Sequence, residues 1–130
     1  MNRVKLQPAR YAIVGSRGFP YRDLVSRFVA RLPEGSTVIS GGARGVDSWA
    51  TDAAKAHGLT VEVFPAQWTR ADGSLDRGAG MARNSLIVDA AEILVAFHWR
   101  NSRGTADSIA KARAAGKPCW VCTGLGQWSL

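Results

Sequence analysis

Strand-like and helix-like segments alternate along this chain, and no hairpin turn joins two consecutive strands. The five strand-like runs lie at residues 10–14, 37–39, 60–64, 93–97 and 118–122. Between them, apolar residues recur with the three- and four-residue spacing of helices. The apolar runs do not alternate strictly, which indicates strands that are covered on both faces. The pattern predicts an α/β fold: a single Rossmann-like, doubly wound domain with a mainly parallel five-stranded sheet flanked by helices.

The connections in such a sheet also predict where a ligand would bind. Right-handed crossovers with the common strand order 3-2-1-4-5 place the first and fourth strands side by side at the switch point. The loops that follow those strands then line a crevice at the carboxyl edge. We expect one domain over residues 1–130, with its core at about 10–122 and no clear periodicity in 123–130.

The charge balance favours an anionic partner. Seventeen lysines and arginines stand against ten aspartates and glutamates, a net charge of +7, and most of the cations are arginine. The planar guanidinium fork suits phosphate, so a nucleotide or a nucleic acid is the expected partner class. No run of about 18 apolar residues exists to span a membrane. The basic leader, residues 1–10, does not resemble a secretory signal, and the cytoplasm is the expected compartment.

Glycine-rich turns containing arginine follow three of the predicted strands. They are Gly15–Gly18, Gly41–Gly45 and Asn101–Thr105. Free backbone N–H groups at a strand-to-helix turn can bind an anion, which glycine allows to approach closely. The predicted phosphate-binding residues are Gly15, Ser16, Arg17, Gly41, Gly42, Arg44, Gly45, Asp47, Arg83, Asn84, Ser102, Arg103, Gly104 and Thr105. Trp99, directly after the fourth strand, is a candidate for stacking on a base.

Several common sites are excluded by spacing. Neither a P-loop nor the dinucleotide fingerprint is present. Cys119 and Cys122 lie three apart on a predicted strand and so point to opposite faces, which predicts two buried free thiols. His57 and His98 are too isolated to suggest a metal site, and no metal or cofactor is expected.

Taken together, several short motifs resemble the SLOG superfamily. They are Ile-Val-Gly-Ser-Arg (13–17), Ser-Gly-Gly-Ala-Arg-Gly-Val-Asp (40–47), Phe-Pro-Ala (64–66), Arg-Asn (83–84), Ser-Arg-Gly-Thr (102–105) and Ala-Gly-Lys-Pro (115–118). That superfamily joins the DNA-processing proteins (Smf/DprA) with the Lonely-guy phosphoribohydrolases, and the chain is most similar to its YspA-like branch. The resemblance implies a Rossmann-like fold with a nucleotide-derived ligand at the glycine-rich loops, and Gly104 with Thr105 in the phosphate-holding loop.

The same resemblance leaves catalysis open. The Lonely-guy enzymes carry a glutamate at the end of Pro-Gly-Gly-x-Gly-Thr-x-x-Glu, where this chain has Ser108. Asp47 and Asp107 are the remaining acid candidates. Asp47 is expected to cap the second helix, with its pKa lowered by the backbone N–H groups that it accepts.

Three functions therefore stay open. The first is binding of a nucleotide or nucleotide-derived small molecule. The second is a single-stranded DNA-binding module, and the third is N-glycosidic hydrolysis of a nucleoside monophosphate. A nucleotide site needs positive charge only inside the crevice, whereas a strand-binding site needs charge that extends out of it. A homo-oligomer is left open as well.

Overall fold

A computed structural model describes residues 6–130, so Met1 to Lys5 of the basic leader lie outside the described residues. The elements follow in the order β1 (Arg10–Gly15), α1 (Arg22–Ala30), β2 (Thr37–Ser40), α2 (Val46–Ala56), β3 (Thr60–Val63), α3 (Ala79–Ala90), β4 (Ile93–Phe97), α4 (Arg103–Ala114), β5 (Cys119–Gly124) and β6 (Gln127–Ser129). Among these residues, no helix is both long and apolar enough to cross a membrane.

The sheet has six strands in the order β3-β2-β1-β4-β5-β6. The first five run parallel, and β1 lies between β2 and β4, with Tyr11 opposite Ile93 and Gly15 opposite Phe97. The predicted fold class and the order of the first five strands are confirmed. The topological switch therefore lies between β1 and β4, and the loops after these two strands meet at the carboxyl edge.

Each face of the sheet has its own hydrophobic core. One core packs α1 and α2 against side chains such as Tyr11, Ile13 and Phe97. The opposite core packs α3 and α4 against Ala12 and Leu94, among others. Successive strand residues thus supply opposite faces, as the period-two geometry of a strand requires. Because both faces are covered, β1 and β4 are almost wholly apolar.

The carboxyl-terminal segment differs from the sequence prediction. Residues 127–129 form a sixth strand that pairs antiparallel with β5, with Cys122 opposite Trp128. The expectation of five strands, with no strand in the last residues, was therefore incomplete. Three residues are too few to show a periodicity. The tail is placed by tertiary packing, since the Trp128 ring lies 5.6 Å from the rings of both Phe28 and Phe97.

The two cysteines are buried free thiols on opposite faces of β5, as predicted. Cys119 belongs to the core formed with α3 and α4, and Cys122 to the core formed with α1 and α2. Burial raises the pKa of both thiols. A raised pKa keeps them in the unreactive thiol form.

Candidate functional site: a basic cleft at the carboxyl edge

A cleft of about 640 Å³ opens at the carboxyl edge of the sheet, above the switch point between β1 and β4. Its walls come from the loops after β1, β2 and β4, from the first turns of α2 and α4, from α3, and from the long segment between β3 and α3. Ten of the residues predicted from sequence line it: Gly15, Ser16, Arg17, Asp47, Arg83, Asn84, Trp99, Ser102, Gly104 and Thr105. The other predicted residues, Gly41, Gly42, Arg44, Gly45, Arg103 and Asp107, lie beside the cleft or behind its wall.

Ser16 joins the first and third loops. Its buried hydroxyl lies 2.5 Å from the Ser102 hydroxyl and 3.3 Å from that of Thr105, and it accepts a 2.8 Å hydrogen bond from the backbone N–H of Trp99. Hydroxyls predicted to face a phosphate are thus also hydrogen-bonded to one another. This network fixes the loop after β1 against the start of α4.

The backbone conformation and close packing of the second loop require its glycines, independently of any ligand. Gly42 and Gly45 have positive φ angles of 74° and 81°, in the region that glycine adopts without strain. A Cβ at Gly45 would lie 3.2 Å from the carbonyl oxygen of Arg17, so the first two loops touch there. Arg44, between these glycines, is exposed and is not among the residues that line the cleft.

Arg83 and Asp47 lie behind the second loop, at the inner end of the cleft. Arg83 reaches from α3 and donates a 2.7 Å hydrogen bond from Nη1 to the carbonyl oxygen of Gly41. Its Nε is buried and finds no hydrogen-bond partner among residues 6–130. A donor buried without a partner costs about 1–3 kcal/mol. Because protein atoms cover Nε, what Arg83 offers to an anion in the cleft is the charge of its guanidinium.

Asp47 does not behave as the sequence predicted. The residue is only 6% exposed, and its carboxylate accepts a 3.1 Å hydrogen bond from the N–H of Ala43, on the loop before α2. Burial raises the pKa of Asp47 to about 6, against the opposing effects of the Ala43 and Gly41 N–H groups and of Arg83 and Arg17. The expected lowering of the pKa was wrong, because desolvation of the buried carboxylate outweighs its hydrogen bonds.

Asp107, the second acid candidate, is committed to other partners. Its carboxylate lies 2.9 Å from Lys111 Nζ, one helical turn along α4, and accepts a 3.0 Å hydrogen bond from Asn84 Nδ2. Asn84 also donates to the carbonyl oxygen of Gly104, at 3.2 Å. The amide of Asn84 therefore connects α3 to the start of α4, and Asp107 is not among the residues that line the cleft.

Trp99 lines the cleft and also packs into the aromatic cluster beneath it. Its ring meets those of Tyr21 and Phe19 edge-on, with centroids 5.8 Å and 6.2 Å away. The guanidinium carbon of Arg100 lies 5.6 Å from the Trp99 ring centroid, within the range of a cation–π contact. Arg100 and Asn101 both have positive φ, 51° and 53°. Such a backbone is uncommon for residues other than glycine and concentrates at functional sites.

Among the lining residues that sequence reasoning did not predict, three carry a charge or an aromatic ring: Trp68, Arg77 and Arg100. Trp68 and Arg77 belong to the irregular segment between β3 and α3. Trp68 is 44% exposed, and a Cβ at Gly80 would lie 3.2 Å from its ring. The length and irregularity of this segment were the signals available, since long loops in small domains are commonly functional.

The charges of the lining residues make the cleft basic. Four arginines line it, Arg17, Arg77, Arg83 and Arg100, and Asp47 is the one carboxylate among the described residues that does. Arg44 and Arg103 are exposed, and each is adjacent in sequence to a lining residue. Exposed arginines therefore occur both in the cleft lining and next to it in the chain, and we call Arg44 and Arg103 the rim arginines.

A family comparison covers the fold from α1 onward, but not β1 or the loop that follows it. A sequence model described as the SLOG cluster4 family matches residues 23–128, which include three of the four cleft arginines. The chain belongs to the SLOG cluster4 family. The resemblance to the SLOG superfamily drawn from the loop motifs is thus confirmed. A search of curated proteins found no significant match.

Solved structures of similar fold include two DNA processing proteins. The X-ray structure of DNA processing protein A (DprA) from Streptococcus pneumoniae aligns with a TM-score of 0.77 at 18% identity, over 90% of this chain and 51% of that chain. DNA processing protein A from Helicobacter pylori, in a structure described by its single-stranded DNA binding mode, aligns with a TM-score of 0.63 at 21% identity, over 92% of this chain and 68% of that one. The chain spans about half the length of the pneumococcal protein, and at these identities the likeness establishes the fold.

Proposed function

We propose that this chain binds single-stranded DNA along the carboxyl edge of its sheet, with the cleft holding part of the strand. The observation that carries the proposal is the extent of the positive surface. Four arginines line the cleft, and the exposed Arg44 and Arg103 continue the charge beyond it. A strand is longer than the cleft, so its neighbouring phosphates need cations on the rim, whereas a single nucleotide does not.

Arginine is well suited to this role. Its fork donates two parallel hydrogen bonds to one phosphate, and the loop positions spread several forks along one edge. Exposed arginines are present on the loops at this edge and at the first position of α4: Arg17, Arg44, Arg77, Arg100 and Arg103. Each phosphate they neutralise would release condensed counterions from the strand, and this release drives sequence-independent binding.

An aromatic surface is the second requirement for binding a single strand. Trp68 lies at the cleft with 44% of its surface exposed, so its ring is available to a base. Stacking of a base on an aromatic side chain contributes about 1–3 kcal/mol and tolerates any sequence. We assign the stacking role to Trp68, because the rings of Phe19 and Tyr21 already pack against Trp99. The fold shared with a DNA processing protein described as binding single-stranded DNA supports this reading.

Binding of a nucleotide or nucleotide-derived phosphate is the second candidate. The cleft volume of about 640 Å³ falls within the range of roughly 300–1,000 Å³ typical of small-molecule pockets. Gly104 also lines the cleft, and a Cβ there would meet no protein atom within 4 Å. That space at the start of α4 would admit a phosphate close to the backbone.

Variants of the rim arginines separate the two candidates. We expect the double variant Arg44→Ala, Arg103→Ala to weaken binding of a thymidine oligonucleotide of about twelve residues, with a charge-assisted contact worth roughly 1.5–3 kcal/mol lost at each position. The log–log salt dependence should also become shallower, by about 0.7 for each lost phosphate contact. Fluorescence anisotropy with a labelled oligonucleotide measures both quantities.

Arg31→Ala is the matched control, because Arg31 is an exposed arginine at the carboxyl end of α1, away from the cleft. It removes one charge, where the rim variant removes two, so it is compared with each of the single variants Arg44→Ala and Arg103→Ala; it should leave the salt slope unchanged. If the rim variant binds the oligonucleotide as the wild type does, the strand does not cross this rim, and the proposal fails. If the Arg31 variant loses as much oligonucleotide affinity per charge removed, the binding depends only on the net charge of the protein and not on the rim arginines.

A further inference from the structure

Asp47 is a buried carboxyl group inside a cleft that is otherwise built for anions. It lines the cleft and is 6% exposed. Its charged neighbours are Arg83 from α3 and Arg17 from the loop after β1, and the backbone N–H groups of Ala43 and Gly41 also face it. An ionised carboxylate here would repel any phosphate that reached these arginines.

Arg83 provides a positive charge in the same part of the cleft as Asp47. Its Nη1 is held by the carbonyl oxygen of Gly41, which fixes the guanidinium in place, while its buried Nε has no acceptor among residues 6–130. Protein atoms cover Nε itself, so an oxyanion in the cleft would be attracted by the positive charge of this fixed guanidinium. Such an anion would lie close to Asp47, since both residues line the same end of the cleft and both pack against Gly41.

We propose that binding of a phosphate-type oxyanion beside Arg83 is coupled to the uptake of one proton by Asp47. The inference rests on the proposed function in taking the natural oxyanion to be a phosphate of the strand. Protonation removes the one negative charge that the lining contributes, and leaves Arg17 and Arg83 facing the anion. The bound anion in turn stabilises the protonated carboxyl, so that each event favours the other.

The pKa of Asp47, raised by burial to about 6, brings this coupling into an accessible pH range. In the free protein Asp47 is mainly protonated below that value and mainly ionised above it. Anion affinity should therefore be highest at low pH and should fall as pH rises through the pKa. With full coupling the decrease approaches about tenfold per pH unit above the pKa.

Sulfate is a suitable probe because it keeps the same charge throughout this range. With full coupling, we expect isothermal titration calorimetry to show sulfate binding about 30-fold weaker near pH 7.5 than near pH 5. Repeating the titration in buffers of different ionisation enthalpy gives the number of protons taken up, which should approach one near pH 7. Asp47→Asn should abolish both the pH dependence and the proton uptake.

Asp52→Asn is the matched control, because Asp52 is an exposed acid on the same helix, with 62% of its side chain accessible. It should retain the wild-type pH dependence. A carbon-13 NMR titration of the Asp47 carboxyl in the wild type, with and without sulfate, gives the answer even if the variant fails to fold. Sulfate should raise the pKa of this carboxyl.

Three results would overturn the inference: no sulfate binding at low pH, no proton uptake, or a pH dependence that survives in Asp47→Asn. The same measurements distinguish failure of this inference from failure of the proposed DNA binding. If the oligonucleotide does not bind but sulfate does, with proton uptake, the coupling stands and the DNA proposal falls. If the oligonucleotide binds with an affinity independent of pH, the DNA proposal stands and the coupling falls.

Discussion

Arg83 occupies the space that a side chain at Gly41 would fill. Its Nη1 donates a 2.7 Å hydrogen bond to the Gly41 carbonyl oxygen, and a Cβ on Gly41 would collide with the guanidinium, 2.7 Å from Cζ. A glycine that looks like part of a phosphate loop in the sequence thus seats an arginine from a distant helix. Because Gly41 has no side chain, the guanidinium of Arg83 can lie against the Gly41 backbone.

Gly41→Ala should therefore act through Arg83. The displaced guanidinium loses its hydrogen bond to a carbonyl, worth roughly 1.5–3 kcal/mol, and the free energy of unfolding should fall by a similar amount. In an Arg83→Ala background the same change should cost at least about 1 kcal/mol less, because the collision is gone. Urea unfolding of the wild type, the two single variants and the double variant measures the interaction free energy between Gly41 and Arg83. Additive effects would show that the two residues do not interact.

Two glycines that line the cleft should respond in opposite ways to substitution. A Cβ at Gly15 would lie 2.5–2.7 Å from the side chain of Val46, whereas one at Gly104 would meet nothing within 4 Å. Gly15→Ala should therefore lower stability by about 1–3 kcal/mol or more. Gly104→Val should change stability by less than about 0.5 kcal/mol but should weaken ligand binding by intruding into the cleft.

Thermal unfolding and oligonucleotide titration of both variants test this contrast. If Gly104→Val unfolds much earlier than the wild type and the remaining folded protein binds normally, Gly104 serves the turn rather than the ligand.

The pH dependence of stability should carry the signature of Asp47. Its folded pKa, about 6, is raised above the ordinary 3.8, so between these values the folded protein binds more protons than the unfolded chain. The free energy of unfolding should then decrease as pH rises from about 4 to about 6, by about 3 kcal/mol, and level off above that. Denaturant titrations across this window should show the decrease in the wild type and in Asp52→Asn, and lose it in Asp47→Asn. A stability that rises over the same window in the wild type alone would indicate a lowered pKa.

The two cleft tryptophans should separate into a binding and a structural residue. Trp68→Ala should cost little stability, because the ring is 44% exposed, but should weaken oligonucleotide binding by about 1–3 kcal/mol per lost stack. Trp99→Ala removes a ring packed against Phe19 and Tyr21 and should lower stability by about 2–3 kcal/mol. Comparing thermal unfolding with binding distinguishes the roles. A large loss of binding in Trp99→Ala at unchanged stability would reverse the assignment.

The fold and the placement of the loops could be predicted because they follow from local patterns. Apolar runs such as the one from Ile93 to Phe97 predict buried parallel strands, and the strand order then brings the turns after β1 and β4 together. The switch point, and with it the place of the cleft, follows from connection rules alone. Seven of the ten predicted residues that line the cleft lie at the end of β1 or in the segments that follow β1 and β4, as these rules require.

Properties set by contacts distant in sequence could not be predicted. The direction of the Asp47 pKa shift depends on burial beneath other elements. The pairing of Asp107 with Lys111 follows from a common helical spacing, yet its bond to Asn84 does not. Trp68 and Arg77 come from a segment without periodicity, so nothing local indicates which of its side chains reach the cleft.

The salt dependence of oligonucleotide binding by the wild-type protein tests the central claim most directly. If three to five edge arginines contact phosphates, the plot of log affinity against log salt concentration should have a slope of about −2 to −3.5. Thymidine monophosphate should bind more weakly than the oligonucleotide at low salt and should show a shallower slope. Fluorescence anisotropy over a range of salt concentrations, with the mononucleotide as competitor, provides both values. Tight, salt-tolerant binding of the mononucleotide with no binding of the oligonucleotide would contradict the account and identify the cleft as a nucleotide site.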